Sequence, residues 1–307
     1  MEDMIKDIIL DTDIGIDSDD AVALAILLNK HAKGECNLLG VTASSSREGA
    51  TATIKAICDY YGQDIPIGKM AKPSLLCDSD NSYARAVMKK YGVKDVGCDA
   101  VTLIREKLTG AKGKVTLLAI RPLVNVCRFL KSESDSVSKK SGVELAKEKV
   151  DALYIMGGSF IENYKFLNGV QKELIAEWNI LQDISSAQFV AENFPCKTYY
   201  VPWEAGFEVY TDIGVGDNPV WYAMQEHAKV LGVSVSGYKR DSWDPMTCLL
   251  ATDDMSEFFD FSSKGKVVIN DDGTTRFLPE NGNAIVTLLT NNYKEIATVI
   301  NDRLNQK

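Results

Sequence analysis

The sequence predicts an α/β fold, with an open, mostly parallel sheet that carries helices on both faces. Three observations support this prediction. Short apolar runs of strand length alternate with longer helical patterns. The apolar runs are nearly continuous, which is typical of strands buried on both faces. A dense group of aspartates follows the first run, and the carboxyl ends of parallel strands are where such folds bind ligands.

Six apolar segments are predicted as strands. They are Ile5–Asp11, Asn37–Ala43, Ile65–Lys69, Lys114–Ile120, Val150–Met156 and Lys197–Pro202. Between them, Asp19–His31 and Thr51–Tyr61 show the clearest helical patterns, and acidic residues at the start of the first favour a helix N-terminus. We expect a C-terminal helix at about Asn283–Leu304.

The chain is expected to form a single domain over residues 1–307, since neither of its two polar stretches resembles a domain linker. The stretch 132–147 is rich in Lys and Ser and is predicted to be a surface excursion. The stretch 253–282 mixes Asp and Gly with short apolar runs, which predicts a β-hairpin or small ribbon.

Composition excludes several classes of protein. With 34 basic and 43 acidic residues the net charge is −9, which gives no electrostatic basis for binding nucleic acid or anionic membranes. The 7 cysteines are dispersed and 2 histidines are present, so we expect reduced thiols and no zinc site built on His clusters. No apolar run reaches membrane-spanning length and no signal peptide is recognisable, so we expect a cytoplasmic protein unless a signal peptide has been trimmed.

The most informative segment is the acidic loop after the first strand, which reads ILDTDIGIDSDDA over residues 9–21. Asp11 and Asp13 are two residues apart at a strand end, so their side chains project the same way. Gly15 allows a sharp turn that brings Asp19 and Asp20 back toward the same point. So many like charges are unfavourable unless a cation compensates them.

Carboxylate oxygens without nearby His or Cys suit Ca²⁺ or Mg²⁺. An EF-hand does not fit, because reading Asp11 as its first position places Val22 where the bidentate Glu belongs. A phosphate-binding P-loop or GxGxxG motif is also missing. For Asp17 alone, a solvated loop carboxylate is the preferred interpretation.

The segment DTDIGIDSDDA resembles the N-terminal signature of the nucleoside hydrolases, the inosine–uridine-preferring family and its relatives. Four further elements follow in the family's order: AIRPLVN at 119–125, MGG at 156–158, EWN at 177–179 and SWDP at 242–245. The sequence departs from the family pattern by carrying Ile14 instead of Pro, two extra residues before the Asp pair, and Arg121 instead of Gly. The resemblance implies the family's Rossmann-like open sheet.

The resemblance also implies roles for particular residues. Ca²⁺ would be bound by Asp13, Asp20, Asp244 and the backbone carbonyl of Val124. Asp13 would act as the catalytic general base on an attacking water. Asp19, Glu177 and Asn179 would bind the hydroxyl groups of the ribose. Family members are usually homodimers or homotetramers, so we expect a homo-oligomer whose partner molecule is a small nucleoside.

Trp243 occupies the position where inosine–uridine-type members carry a His that acts as general acid. Purine-preferring members have an aromatic residue there. The resemblance therefore implies that Trp243 stacks on the base and that the enzyme prefers purine nucleosides. Trp178, Trp203 and Trp221 are competing candidates for this contact.

The function predicted from the sequence is Ca²⁺-dependent hydrolysis of the N-glycosidic bond of ribonucleosides, giving free base and ribose. One alternative is a catalytically weak nucleoside-binding protein of the same fold, suggested by the missing His and by Arg121. Another is a Mg²⁺-dependent phosphatase of the haloacid dehalogenase type, which also carries DxD after a strand. That family favours Thr or Val two residues after the second Asp, where this chain has Gly15.

Overall fold

The computed structural model describes residues 5–71, 82–161, 175–212, 214, 216–253, 255, 257–289 and 293–305. Within these ranges the strands are β1 Lys6–Thr12, β2 Cys36–Ala43, β3 Ile67–Lys69, β4 Cys98–Asp99, β5 Val115–Ala119, β6 Val150–Met156, β7 Lys197–Val201, β8 Tyr210–Asp212, β9 Lys239–Asp241, β10 Phe259–Phe261, β11 Lys266–Ile269, β12 Thr275–Leu278 and β13 Ala284–Leu289. The helices are α1 Asp19–Ala32, α2 Ala50–Tyr60, α3 Ala84–Tyr91, α4 Ala100–Gly110, α5 Val124–Leu130, α6 Gly142–Lys149, α7 Trp178–Gln182, α8 Ile184–Asn193, α9 Trp203–Gly206, α10 Pro219–Val230, α11 Trp243–Thr252 and α12 Tyr293–Leu304.

Nine strands form one sheet in the order β10-β13-β7-β6-β5-β1-β2-β3-β4. Its neighbouring strands are parallel, except that β10 at one edge pairs antiparallel with β13. The predicted mostly parallel sheet is therefore confirmed. From β1 the chain builds β2, β3 and β4 on one side and then returns to place β5 on the other. This reversal beside β1 is the position at which open α/β sheets bind ligands.

Helices cover both faces of the sheet, and the alternation of side chains along β1 shows this directly. Ile8 and Leu10 are fully buried in the core formed with α1, α10 and α11. Ile9, on the opposite face, belongs to the core formed with α4, α5 and α8. Because both faces of the central strands are dry, their continuous apolar sequences are explained.

The C-terminal prediction was partly wrong. The segment Ala284–Leu289 is β13, which pairs parallel with β7, and only Tyr293–Leu304 forms the helix α12. The sequence AIVTLL is a β-branched apolar run of strand length, and its residue Val286 is fully buried. Burial inside the sheet therefore decided the conformation of this segment.

Within the described residues, which leave out 254 and 256, both polar stretches contain regular secondary structure. The second half of 132–147 enters α6, which begins with a capping box between Ser141 and Glu144. The buried guanidinium of Arg105 anchors the first half, with Nε and Nη2 donating to both carboxylate oxygens of Asp135 at 2.8 and 2.9 Å. In 253–282, β11 and β12 form the antiparallel pair that the sequence predicted.

Two smaller expectations concern thiols and membranes. The cysteines among the described residues, which leave out Cys77, are all free thiols. Among the described helices, none has both the length and the apolar character needed to span a bilayer.

Candidate active site

A cleft of about 350 Å³ opens where the carboxyl ends of β1, β5, β6 and β7 meet, a size that suits a small ligand. Residues from seven segments of the chain line it: Asp13, Ile16, Asp17, Asp19, Asp20, Ile120, Arg121, Met156, Glu177, Trp178, Asn179, Trp203, His227, Leu231, Arg240, Trp243 and Asp244. The structure thus brings together every site residue predicted from the sequence except Val124. Val124 is buried at the start of α5, three residues after Arg121, and its carbonyl remains a predicted ligand.

The turn after β1 positions the acidic loop, and Tyr83 holds that turn. Gly15 has a φ of 121°, and a Cβ there would lie 2.9 Å from the Cβ of Ala84, so the position requires glycine. The Gly15 N–H donates to the Tyr83 hydroxyl at 3.0 Å, and that hydroxyl donates to the carbonyl of Asp17 at 2.9 Å. No sequence pattern indicated Tyr83, because it lies on a different element of the fold.

Three carboxylates converge in the cleft. Asp19, Asp20 and Asp244 each offer an oxygen, and these atoms lie within 4.8 Å of one another. Hydrogen bonds fix the geometry: the Asp244 N–H donates to Asp19 at 3.1 Å, and Asp20 accepts from the Asp13 N–H at 3.2 Å and from the Thr12 hydroxyl. Asp19 and Asp244, which are 225 positions apart in sequence, therefore meet in the cleft.

The electrostatics of this group suit a divalent cation. Burial is the largest cause that raises the pKa of Asp19, Asp20 and Asp244 well above their usual range, and neighbouring carboxylates raise it further. A hard cation would reverse this effect, because it stabilises the ionised form of every oxygen around it. A donor set of carboxylate oxygens matches Ca²⁺ or Mg²⁺ and fits the metal that the acidic loop predicted.

Asp13 has a partner that the sequence did not predict. Its carboxylate forms an ion pair with Arg121, which follows β5 and is 4% exposed. Burial lowers the pKa of Arg121 to about 9, so the guanidinium stays protonated at neutral pH, while Asp244, Asp11 and Glu177 favour its charge. Arg121 therefore places one permanent positive charge among the carboxylates, and Asp13 stands apart from the group of three.

The whole-chain comparison decides the family. A family model described as inosine-uridine preferring nucleoside hydrolase matches residues 8–301. The chain belongs to this nucleoside hydrolase family. The match includes both ends of the acidic constellation, Asp13 and Asp244.

The curated relatives of this chain are distant. Uridine nucleosidase 1 of Arabidopsis thaliana is 28% identical over 197 residues, which are 60% of this chain and 52% of that protein. A non-specific ribonucleoside hydrolase of Escherichia coli is 31% identical over 160 residues, which are 50% of this chain and 49% of that protein. The matched part thus spans about half the length of these curated relatives.

The similarity in fold to a solved structure extends over nearly the whole chain. The crystal structure of an inosine-uridine preferring nucleoside hydrolase from Bacillus anthracis superposes with a TM-score of 0.70. That superposition covers 99% of this chain and 100% of the other, at 16% sequence identity. The sheet order and the helices on both faces are therefore those of the nucleoside hydrolase fold.

Glu177 and Asn179 line the cleft, and both side chains also form hydrogen bonds within the protein. The Glu177 carboxylate accepts hydrogen bonds from the backbone N–H groups of Asn179, Ile180 and Gly158 at 2.9, 3.2 and 3.1 Å. Burial raises the pKa of Glu177 to about 7, against the lowering effect of these bonds. The Asn179 amide donates to the carbonyl of Met156 at 3.1 Å. Both side chains therefore fix α7 against the end of β6.

Trp243 is half-buried and its orientation is fixed. Its indole N–H donates to the carbonyl of Trp203 at 2.7 Å, and Arg240 lies over its ring at 4.8 Å from the centroid. Gly206 makes this position possible, because a Cβ there would lie 2.6 Å from the Cα of Trp243. Trp178 and Trp203 also line the cleft, and the side chain of Trp178 is 56% exposed.

Asp17 and His227 were not recognised as site residues. The expected solvated carboxylate of Asp17 instead forms a two-pronged ion pair with Arg240, with Nε to Oδ1 at 2.7 Å. His227, on α10, lies beside this pair, with Nδ1 at 3.6 Å from Asp17 Oδ1. The sequence showed that these residues are charged but not that they pair, because Asp17 and Arg240 are 223 positions apart.

Asp11 holds together the elements that carry the site. Its carboxylate accepts hydrogen bonds from Thr42 at 2.6 Å and from Asn125 at 2.8 Å, which ties β1, β2 and α5 together. Burial raises the pKa of Asp11 to about 6 despite these bonds. This carboxylate faces neighbouring strands, so it organises the strand ends from which Asp13 emerges.

Proposed function

We propose that this protein hydrolyses the N-glycosidic bond of ribonucleosides in a Ca²⁺-dependent reaction and releases free base and ribose. The observation that carries the proposal is the buried convergence of Asp19, Asp20 and Asp244 beside Asp13, in a chain of this family. The family match favours glycosidic chemistry over the phosphatase alternative.

The proposed metal ligands are Asp13, Asp20, Asp244 and the Val124 carbonyl, as the resemblance implies. Asp20 and Asp244 belong to the converging group, which supports their assignment. Asp19 belongs to the same group, so it is placed to contact both the ion and a ribose hydroxyl. When bound, Ca²⁺ would orient the ribose hydroxyls and the attacking water and lower the pKa of that water.

In the proposed mechanism Asp13 is the general base. Its carboxylate is buried, and the ion pair with Arg121 favours the ionised form that accepts a proton. Water attacks the anomeric carbon, Asp13 takes one of its protons, and the electron pair of the C–N bond goes to the leaving base. Arg121 must remain near enough to keep Asp13 ionised while leaving one carboxylate oxygen for the water.

The proposed sugar site is formed by polar side chains of the cleft. Asp19 accepts from a ribose hydroxyl, and Glu177 and Asn179 contact the hydroxymethyl side. Because backbone groups already fix Glu177 and the amide of Asn179, these side chains are pre-oriented, so little conformational entropy is lost on binding. Such positioning lowers the barrier by holding the anomeric carbon against the water.

The purine preference rests on the aromatic wall of Trp178, Trp203 and Trp243. We expect Trp243→Ala to lower kcat/KM for inosine about 2- to 10-fold more than for uridine, because stacking contributes about 0.5–1.5 kcal/mol beyond area burial and a purine offers the larger ring. Equal losses for both nucleosides would contradict the assignment. Trp178→Ala is the matched comparison, since a purine-selective loss there would identify Trp178 as the platform.

The proposed assembly is a homodimer or homotetramer in the cytoplasm. The free thiols found among the described cysteines are compatible with a reducing compartment. Size-exclusion chromatography with light scattering measures the oligomeric state directly.

The test of the function is release of reducing sugar from inosine, guanosine, adenosine, uridine and cytidine, with Ca²⁺ and after removal of Ca²⁺ by EGTA. We expect release that requires Ca²⁺ and is faster with the purine nucleosides. Tight binding of a nucleoside without sugar release would instead support the binding-protein alternative.

A further inference from the structure

The leaving base needs a hydrogen-bond donor, because the electron pair of the broken C–N bond makes it more basic. Trp243 does not supply this donor, since its indole N–H is already donated to Trp203. Arg240 is engaged with Asp17, and Arg121 lies beside Asp13 among the carboxylates, where its Nε and Nη2 have no hydrogen-bond partner among the described residues. His227 is the remaining nitrogen donor on the aromatic side whose position the structure fixes.

His227 is held through one ring nitrogen only. Its Nδ1 lies 3.0 Å from the Ser18 hydroxyl and 3.1 Å from the Tyr238 hydroxyl. The side chain is buried, yet it lines the cleft. Since Nδ1 faces the two hydroxyl groups, the opposite ring edge, with Nε2, is the edge available to a ligand in the cleft.

We take Nδ1 as the acceptor of these contacts. When the Ser18 or Tyr238 hydroxyl donates to Nδ1, the neutral ring carries its proton on Nε2. Burial is the main cause that lowers the pKa of His227, and Arg240 acts in the same direction against Asp17, so the neutral ring is favoured. A neutral imidazole that presents an N–H in a dry site is an effective electrophile.

We infer that His227 donates a hydrogen bond from Nε2 to the base as the C–N bond breaks. This inference rests on the hydrolase function proposed above and assigns its leaving-group contact to α10. The bond's electron pair goes to the base, the water oxygen joins the anomeric carbon, and one water proton goes to Asp13. The free base then takes its proton from solvent, and Asp13 releases its proton to solvent, so the reaction balances.

Two substitutions separate this role from a structural one. In His227→Asn the amide replaces Nδ1 and can keep the contacts with Ser18 and Tyr238, but no donor reaches the cleft. In His227→Gln the amide replaces Nε2 and keeps the donor. Each variant is assayed as the full chain with Ca²⁺, on inosine and on 4-nitrophenyl β-D-ribofuranoside, whose weakly basic leaving group needs no donor.

We expect His227→Asn to lower kcat on inosine about 10²-fold, the scale of removing one donor to a developing anion, with little loss on the nitrophenyl riboside. His227→Gln should retain more inosine activity than His227→Asn. Equal losses on both substrates, or a His227→Asn variant more active than His227→Gln, would overturn the inference. The same substitutions at His31, which contacts Cys36 outside the cleft, are the control and should leave both rates unchanged.

Two further outcomes are distinguishable. If His227→Asn does not fold, Tyr238→Phe removes one of the hydroxyls that orient the ring, and a loss confined to inosine supports the inference while an equal loss overturns it. If the unmodified protein releases sugar from neither substrate, the proposed function fails and this inference fails with it.

Discussion

Asp13→Asn is expected to lower the turnover of inosine by at least about 10²-fold, measured as kcat at saturating nucleoside and Ca²⁺. The amide has the shape of the carboxylate but cannot accept the proton of the attacking water. The Asp13 carboxylate pairs with the buried Arg121, and this positive charge favours the ionised form that accepts a proton. Near-normal turnover would remove Asp13 from the role of general base.

The control for this variant must address Arg121. The amide leaves the buried guanidinium without its closest counter-charge, so the melting temperature is measured in parallel to separate lost chemistry from lost folding. Asp7→Asn is the matched substitution on the same strand. Asp7 lies at the opposite end of β1, where it accepts a hydrogen bond from Asn37 at 2.9 Å. Turnover of Asp7→Asn should match that of the unmodified protein.

Asp244→Asn is expected to weaken Ca²⁺ binding at least about 100-fold, since even outer partners of metal ligands are worth 10- to 100-fold in affinity. The readout is the dissociation constant from calorimetric titration of the metal alone, which does not depend on turnover. A 100-fold loss also removes about 2.7 kcal/mol of metal-linked stabilisation at saturating Ca²⁺. Without Ca²⁺ the variant should be no less stable, because a buried like charge has been removed.

Asp241→Asn is the control for this second prediction. Asp241 is three residues away on β9 and accepts a hydrogen bond from the Glu208 N–H at 2.8 Å, a contact that Asn can keep. Its Ca²⁺ affinity should be unchanged. If Asp244→Asn binds Ca²⁺ as tightly as the unmodified protein, the ion is not held by this group of carboxylates.

The helices and strands were largely predictable because their signals are local. Val150–Met156 was predicted to the residue, and Asp19–His31 is one residue shorter than α1. The exception was Ala284–Leu289, where a helix was expected and a strand formed. An apolar run of six residues fits either state, and pairing with β7 and β10 decided it.

The site was predictable where charge density and motif order marked it. The convergence of Asp19, Asp20 and Asp244 follows from a loop after β1 and a helix N-terminus that contribute to one cleft. The neighbours of these residues were not predictable. Arg121 looked like a departure from a motif, and only its contact with Asp13 shows that it places a positive charge among the carboxylates.

The sequence by itself determined the fold class, the family and the carboxylates, because alternation of apolar runs and clustering of like charges are properties of the chain. The tertiary structure alone decided which groups meet. It brought His227 within 3.0 Å of Ser18, 209 positions away, and paired Asp17 with Arg240. Such contacts depend on how α10 and β9 pack across the cleft, and no local pattern encodes that packing.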